Sequence, residues 1–145
     1  MIRSVMAALL AIFLVAGPHI PAHAQAVSDA DAAEFQRIIS GQIAAFNADD
    51  GPGAYAFAAP LIQQIFPTPD VFMAMVKKGY QPVYRQKSYA FSKVETDKAG
   101  RPNQFVDIVD MNGKTWTAVY TMERQPDGSW KISGCMLVEA PGANV

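Results

Sequence analysis

The chain has 145 residues, enough for one ordinary domain, with 12 Lys+Arg against 13 Asp+Glu and 50% of its residues apolar. That balance excludes a disordered chain, a collagen-like chain and a strongly basic nucleic-acid binder. Both histidines, His19 and His23, fall within the first 24 residues, which have a character of their own.

Met1-Ile2-Arg3 is a short positive start, and Ser4 to Ala16 is an uncharged run of apolar and small residues. Gly17-Pro18 breaks the run, and Ala22-His23-Ala24 supplies a small-x-small cleavage pattern. Together these are the three parts of a secretory signal peptide, and an apolar run of about 13 residues is short of the roughly 20 that span a bilayer. The sequence therefore predicts a periplasmic or secreted protein, cleaved after Ala24, with no stable membrane anchor afterwards and one domain over residues 25–145. The mature chain would have 121 residues, 11 basic and 13 acidic groups, no histidine and one cysteine. A chain of that length buries enough surface to fold without cross-links. With no second cysteine to pair, Cys135 is expected as a buried free thiol or, failing that, an intermolecular bridge.

The next part of the chain reads as helix. Ser28 and Asp31 resemble a capping box, and Phe35, Ile39, Ile43 and Phe46 form one apolar stripe, which predicts a helix from about Asp29 to Asn47. A short second helix is expected from Pro52 to Ala58, and Leu61 to Phe66 is ambiguous between helix and strand. Thr68-Pro69-Asp70 is a helix start, with Phe72, Met75 and Val76 as the apolar face and Lys77-Lys78-Gly79 as the end.

Beyond Gly79 the pattern turns to strand. Pro82 to Glu95, Phe105 to Met111, Thr115 to Glu123 and Trp130 to Val138 are four strand segments, joined by polar turns that include Asn112-Gly113 and Pro126-Asp127-Gly128. Helices first and strands after predict an α+β domain: three N-terminal helices packed on a curved antiparallel four-stranded meander.

Without histidine in the mature chain there is no Ser-His-Asp or Cys-His site and no histidine-containing zinc site. A single thiol excludes a CxxC redox pair, and Gly51-Pro52-Gly53 lacks the spacing and lysine of a phosphate loop. No cofactor or metal is expected. If Asn112 and Gly113 form a two-residue turn, Asp107 faces Ala118, and Phe105, Asp107, Val109, Trp116, Ala118 and Tyr120 share one sheet face. A carboxylate among such groups tends to hold its proton more tightly, which suits a general acid or base. Asp107 on a solvated face, or in a structural ion pair, is the competing reading.

Three helices before a bent meander resemble the cone-shaped nuclear-transport-factor-2-like group, which includes the SnoaL-like cyclases and ketosteroid isomerase; cystatins share the gross ingredients, but no Gln-Val-x-Ala-Gly wedge is present. More narrowly, Gln42 to Asp50, Ala54 to Pro60, Phe72 to Tyr80, Trp116 to Glu123 and Asp127 to Cys135 resemble an exported bacterial family known as domain of unknown function 4864. The family brings no assigned activity. The cone resemblance implies a pocket for a small apolar ligand, and strand alternation with the helix faces gives Phe57, Phe72, Tyr80, Tyr89, Trp116 and Tyr120 as its expected lining. It also implies an alternative, a filled interaction module that forms a homodimer through the sheet face. A further alternative is an isomerase- or cyclase-like enzyme with Asp107 as general base, by the logic of carboxyls in an apolar cone.

Overall fold

A computed structural model describes residues 26–141. The leader and its cleavage site lie outside the described residues. The order is α1 (Asp29–Asn47), α2 (Gly51–Ala56), α3 (Pro60–Ile65), α4 (Pro69–Gly79) and α5 (Gln81–Tyr84), then β1 (Gln86–Thr96), β2 (Pro102–Asp110), β3 (Thr115–Arg124) and β4 (Trp130–Glu139).

Helix α1 begins where Ser28 Oγ accepts from the Asp31 backbone N–H at 3.0 Å. It ends in a Schellman arrangement: Asp49 takes a positive φ of 53°, its N–H donates to the Phe46 carbonyl, and the Asp50 N–H donates to Ala45. Between these caps, Phe35, Ile38, Ile39, Ile43 and Phe46 are all buried, each contributing about 2 kcal/mol of gross apolar burial. Helix α4 is capped by Thr68, whose Oγ1 accepts from the Val71 N–H, and it buries Phe72, Met73 and Val76.

Two short helices add to the three expected. Leu61 to Phe66 resolves as α3, started by Pro60 in its first turn, and Tyr55 Oη staples it by donating to the Gln63 and Phe66 carbonyls at 3.2 and 2.7 Å. Pro82 to Tyr84, expected as the start of a strand, forms the single turn α5 instead. Pro82 stands in its first turn, and burial of Pro82 and Val83 holds it against the core. The first strand therefore begins at Gln86.

The sheet is one antiparallel meander in the order β1-β2-β3-β4, curved and not closed. All three hairpins share one turn geometry. In 97–101, 110–114 and 125–129 the first N–H donates to the last carbonyl, and the fourth residue's N–H donates back to the first carbonyl. The fourth residue is Gly100, Gly113 or Gly128, with φ of 80°, 82° and 86°. These are three-residue loops with a left-handed glycine at the third loop position.

This geometry corrects the expected register. A two-residue Asn-Gly turn needs positive φ at both centres, but among the described residues only Asp49 and glycines have it. Asp110 selects the longer loop, because its Oδ1 accepts from the Asn112 and Lys114 N–H groups, both at 2.9 Å. The pairing moves by one: Val106 opposes Ala118, Asp107 opposes Thr117, and Gln104 opposes Tyr120. A one-residue shift exchanges faces. Gln104, Val106, Ile108, Ala118 and Tyr120 face the helices and are buried, whereas Asp107 is exposed on the outer face.

The helical layer is tied to the sheet at three places. Residues 57–59 run beside β4: the Ile132 N–H donates to Phe57 O at 2.9 Å, and the Ala59 N–H donates to Ile132 O at 2.8 Å. At the start of α1, Asp31 accepts from Trp130 Nε1 at 3.0 Å and pairs with Arg124 at 3.1 Å. At its end, Tyr84 donates to Asp49, Arg85 pairs with Asp49 at 2.9 Å, and Arg85 covers the Tyr84 ring at 4.0 Å.

Candidate functional site

A cleft of about 300 Å³ lies where α1, α3 and α4 meet β3 and β4. Helix α1 contributes Gln42 and Phe46, α3 and its end contribute Ile62 and Phe66, and α4 contributes Phe72, Met75 and Val76. Tyr80 and Val83 close one side. The sheet contributes Tyr120 from β3 and Ile132, Ser133, Gly134 and Cys135 from β4. No charged side chain is in this lining.

An irregularity in β4 shapes the floor. Met122 opposes Ile132 and Thr121 opposes Gly134, so Ser133 is an extra residue. The bulge lets Ile132 and Cys135, three apart, both reach the cleft. Ser133 Oγ donates to the Thr121 carbonyl at 3.2 Å, which occupies its proton. Gln42, 4% exposed, donates from Nε2 to the Ala54 carbonyl at 3.2 Å.

Tyr120 is different. It is 1% exposed, and no oxygen or nitrogen of the protein pairs with its hydroxyl, whose neighbour is the weakly accepting sulfur of Cys135. Its strand neighbours are Gln104 on β2 and Cys135 on β4. Burial pushes the phenol well above its ordinary range, with the nearby thiol adding to the effect. Burial also pushes the Cys135 thiol up to about 12, and raises Tyr80. At neutral pH all three therefore keep their protons. The cleft offers donors in an apolar surround, and Cys135 is a thiol rather than a nucleophilic thiolate.

Of the lining expected from sequence, the structure brings Phe72, Tyr80 and Tyr120 together in the cleft and leaves out Phe57, Tyr89 and Trp116. Phe57 lies on α1, where a Cβ on Gly41 would come within 2.7 Å of its Cζ. Tyr89 and Trp116 meet Asp107 in a separate depression, alongside Thr115 and Ala140. There Trp116 is committed, donating from Nε1 to Asp110 Oδ2 at 2.9 Å. Asp107 does not reach the cleft, because the shifted register turned it outward. Sequence reading missed Gln42, Ile132 and Cys135. The first sits between Ile38 and Phe46 on the apolar stripe, where a buried polar residue was detectable. The other two depend on the bulge, which leaves no clear mark beyond Ser133-Gly134.

With the geometry in place, comparison with known proteins assigns the family. The family model described as Domain of unknown function (DUF4864) matches residues 28–145. The chain belongs to that family. No curated protein matches it. Among solved structures it is similar to Aln2 from a Streptomyces species, at 15% identity and a TM-score of 0.49, over 77% of this chain and 92% of that one. Membership in DUF4864 carries no activity, so the function has to be read from the cleft.

Proposed function

We propose that this DUF4864 protein is an exported domain that binds a small, mainly apolar molecule in the cleft, without catalysing its conversion. The observation that carries this reading is the cleft itself: about 300 Å³, lined mostly by aliphatic and aromatic side chains, with one buried unpartnered hydroxyl. Ligand sites have this composition, and the volume lies at their small end. Binding without chemistry is favoured because the lining has no carboxylate, and its tyrosines and thiol hold their protons. Export rests on the leader pattern read from residues 1–24. Native mass spectrometry on protein taken gently from the bacterial periplasm tests the reading. A stoichiometric small-molecule adduct is expected in the natural protein and not in a Val76→Trp variant, whose added bulk fills the cleft. Adducts of equal occupancy in both would refute it.

A second reading concerns the outer sheet face. Met136 and Val138 are 61% and 46% exposed there, next to the half-buried Phe105 and Val119. The apolar centre of this face is bordered by charges of both signs, Lys93 over the Phe105 ring and Asp107 in the row of Val138, so two copies related by a two-fold can match it to itself, and a second copy of this chain is its natural occupant. Sedimentation should show a dimer that Met136→Glu dissociates; a monomer at high concentration would refute it.

A further inference from the structure

Building on the reading of the cleft as a ligand site, we propose that its ligand is an uncharged molecule that presents an acceptor oxygen, that of a ketone, ester or amide carbonyl, to the Tyr120 hydroxyl. The inference starts from the one fully buried hydroxyl in the lining that no oxygen or nitrogen of the protein pairs with; the other phenol there, Tyr80, is only half-buried. Tyr120 is 1% exposed and its Oη has no oxygen or nitrogen partner, although buried hydroxyls are nearly always paired. Its ring belongs to an inner strand between Gln104 and Cys135, so it cannot swing out to bulk water as a surface tyrosine would. Acceptor oxygens do stand on neighbouring residues, among them Gln104 Oε1, which is itself unpartnered, but none of them is hydrogen-bonded to the Tyr120 hydroxyl. Ser133 donates its proton to Thr121 O, and Gln42 donates its amide to Ala54 O. What the hydroxyl does meet is the Cys135 sulfur, a weak acceptor that does not replace an oxygen.

The same lining determines the charge of the ligand. With no Lys, Arg, Asp or Glu bordering the cleft, a carboxylate or ammonium would lose its water with no countercharge to replace it. Burial keeps the phenol protonated, so it can donate to an oxygen but not neutralise a cation. A carbonyl supplies the acceptor without introducing charge. The remaining wall, with Phe46, Phe72, Met75 and Val76, suits an apolar or flat ring body beside that carbonyl.

Three matched probes test this: 2-acetonaphthone, 2-ethylnaphthalene and 2-naphthoate, titrated into the whole mature protein and into Tyr120→Phe. The natural protein should bind the ketone about five- to tenfold more tightly than the hydrocarbon, the worth of one hydrogen bond, and the carboxylate most weakly. In Tyr120→Phe the preference for the ketone should vanish while the hydrocarbon affinity stays. An equal ketone-to-hydrocarbon ratio in both proteins, or tightest binding of the carboxylate, would overturn the proposal with the cleft reading intact. Binding of none of the three would instead refute the cleft reading itself, and this proposal with it. An infrared spectrum of the bound ketone gives a second readout that needs no variant. The carbonyl stretch should move to lower frequency than in alkane solvent, and an unmoved band would overturn the assignment to Tyr120.

Discussion

Replacing Tyr120 by Phe should make the ligand-free protein more stable, which is the reverse of what most core substitutions do. The change keeps the ring and its packing against β2 and β4 and deletes one oxygen. That oxygen is fully buried and unpartnered. A buried polar group left unmade costs about 1–3 kcal/mol, and deleting a single oxygen leaves only a small space beside a cleft that Tyr120 already lines. The net gain should be about 1 kcal/mol, which for a domain of this size raises the thermal midpoint by roughly 3–6 °C. Urea unfolding at constant m-value, followed by circular dichroism, measures it directly. A loss of about 1 kcal/mol or more would show that the hydroxyl is bonded in the native protein, and would refute the reasoning about a free donor.

The other predictions concern the frame around the cleft. Gly113→Ala should destabilise by about 1–2 kcal/mol, because φ of 82° puts a Cβ in the left-handed region; chemical denaturation checks it, and no change would deny the three-residue loop. Cys135 should resist iodoacetamide at pH 8 in the native state and react quickly in urea, since burial lifts its thiol to about 12. The unfolded thiol titrates near 8.5, so this protonated group's stabilisation is complete below that pH and is lost as the pH rises from about 8.5 toward 12. At the acid end, Asp31 is held below its usual range by Ser28 first and then by Trp130, so its contribution is present above about pH 4 and lost on further acidification. Asp31→Asn should flatten that limb of the stability curve. Tyr55→Phe removes the donor that staples α3 to Gln63 and Phe66; amide exchange in α3 should quicken several-fold while the sheet amides stay unchanged.

Much of the frame was legible because local signals agreed with one another. The apolar stripe from Phe35 to Phe46 and its Ser28 cap marked α1 at both ends, and Thr68-Pro69-Asp70 did the same for α4. The four-stranded meander followed from alternation and the glycine turns. The candidate site was only half legible, and one carboxylate explains much of the loss. Asn112-Gly113 signals a two-residue turn, but Asp110 caps the loop from its own side chain and moves the register by one. That step sent Asp107 outward and brought Tyr120 into line with Gln104. The expected Asp107 chemistry fell with it, while Tyr120 kept its place in the cleft. Cys135 and Ile132 were not legible as lining because a bulge at Ser133 breaks the alternation on which strand reading rests. Tyr89 and Trp116 were misplaced for a different reason: both follow the alternation and pack against the core, but they border a separate depression rather than the cleft.

The most direct test is a crystal structure of the mature protein grown with 2-acetonaphthone. Density for one ketone between Phe72 and β4, its oxygen within about 3 Å of Tyr120 Oη, is the expected result. A cleft filled by collapsed side chains, or the ketone seated only on the outer face near Met136, would contradict the account.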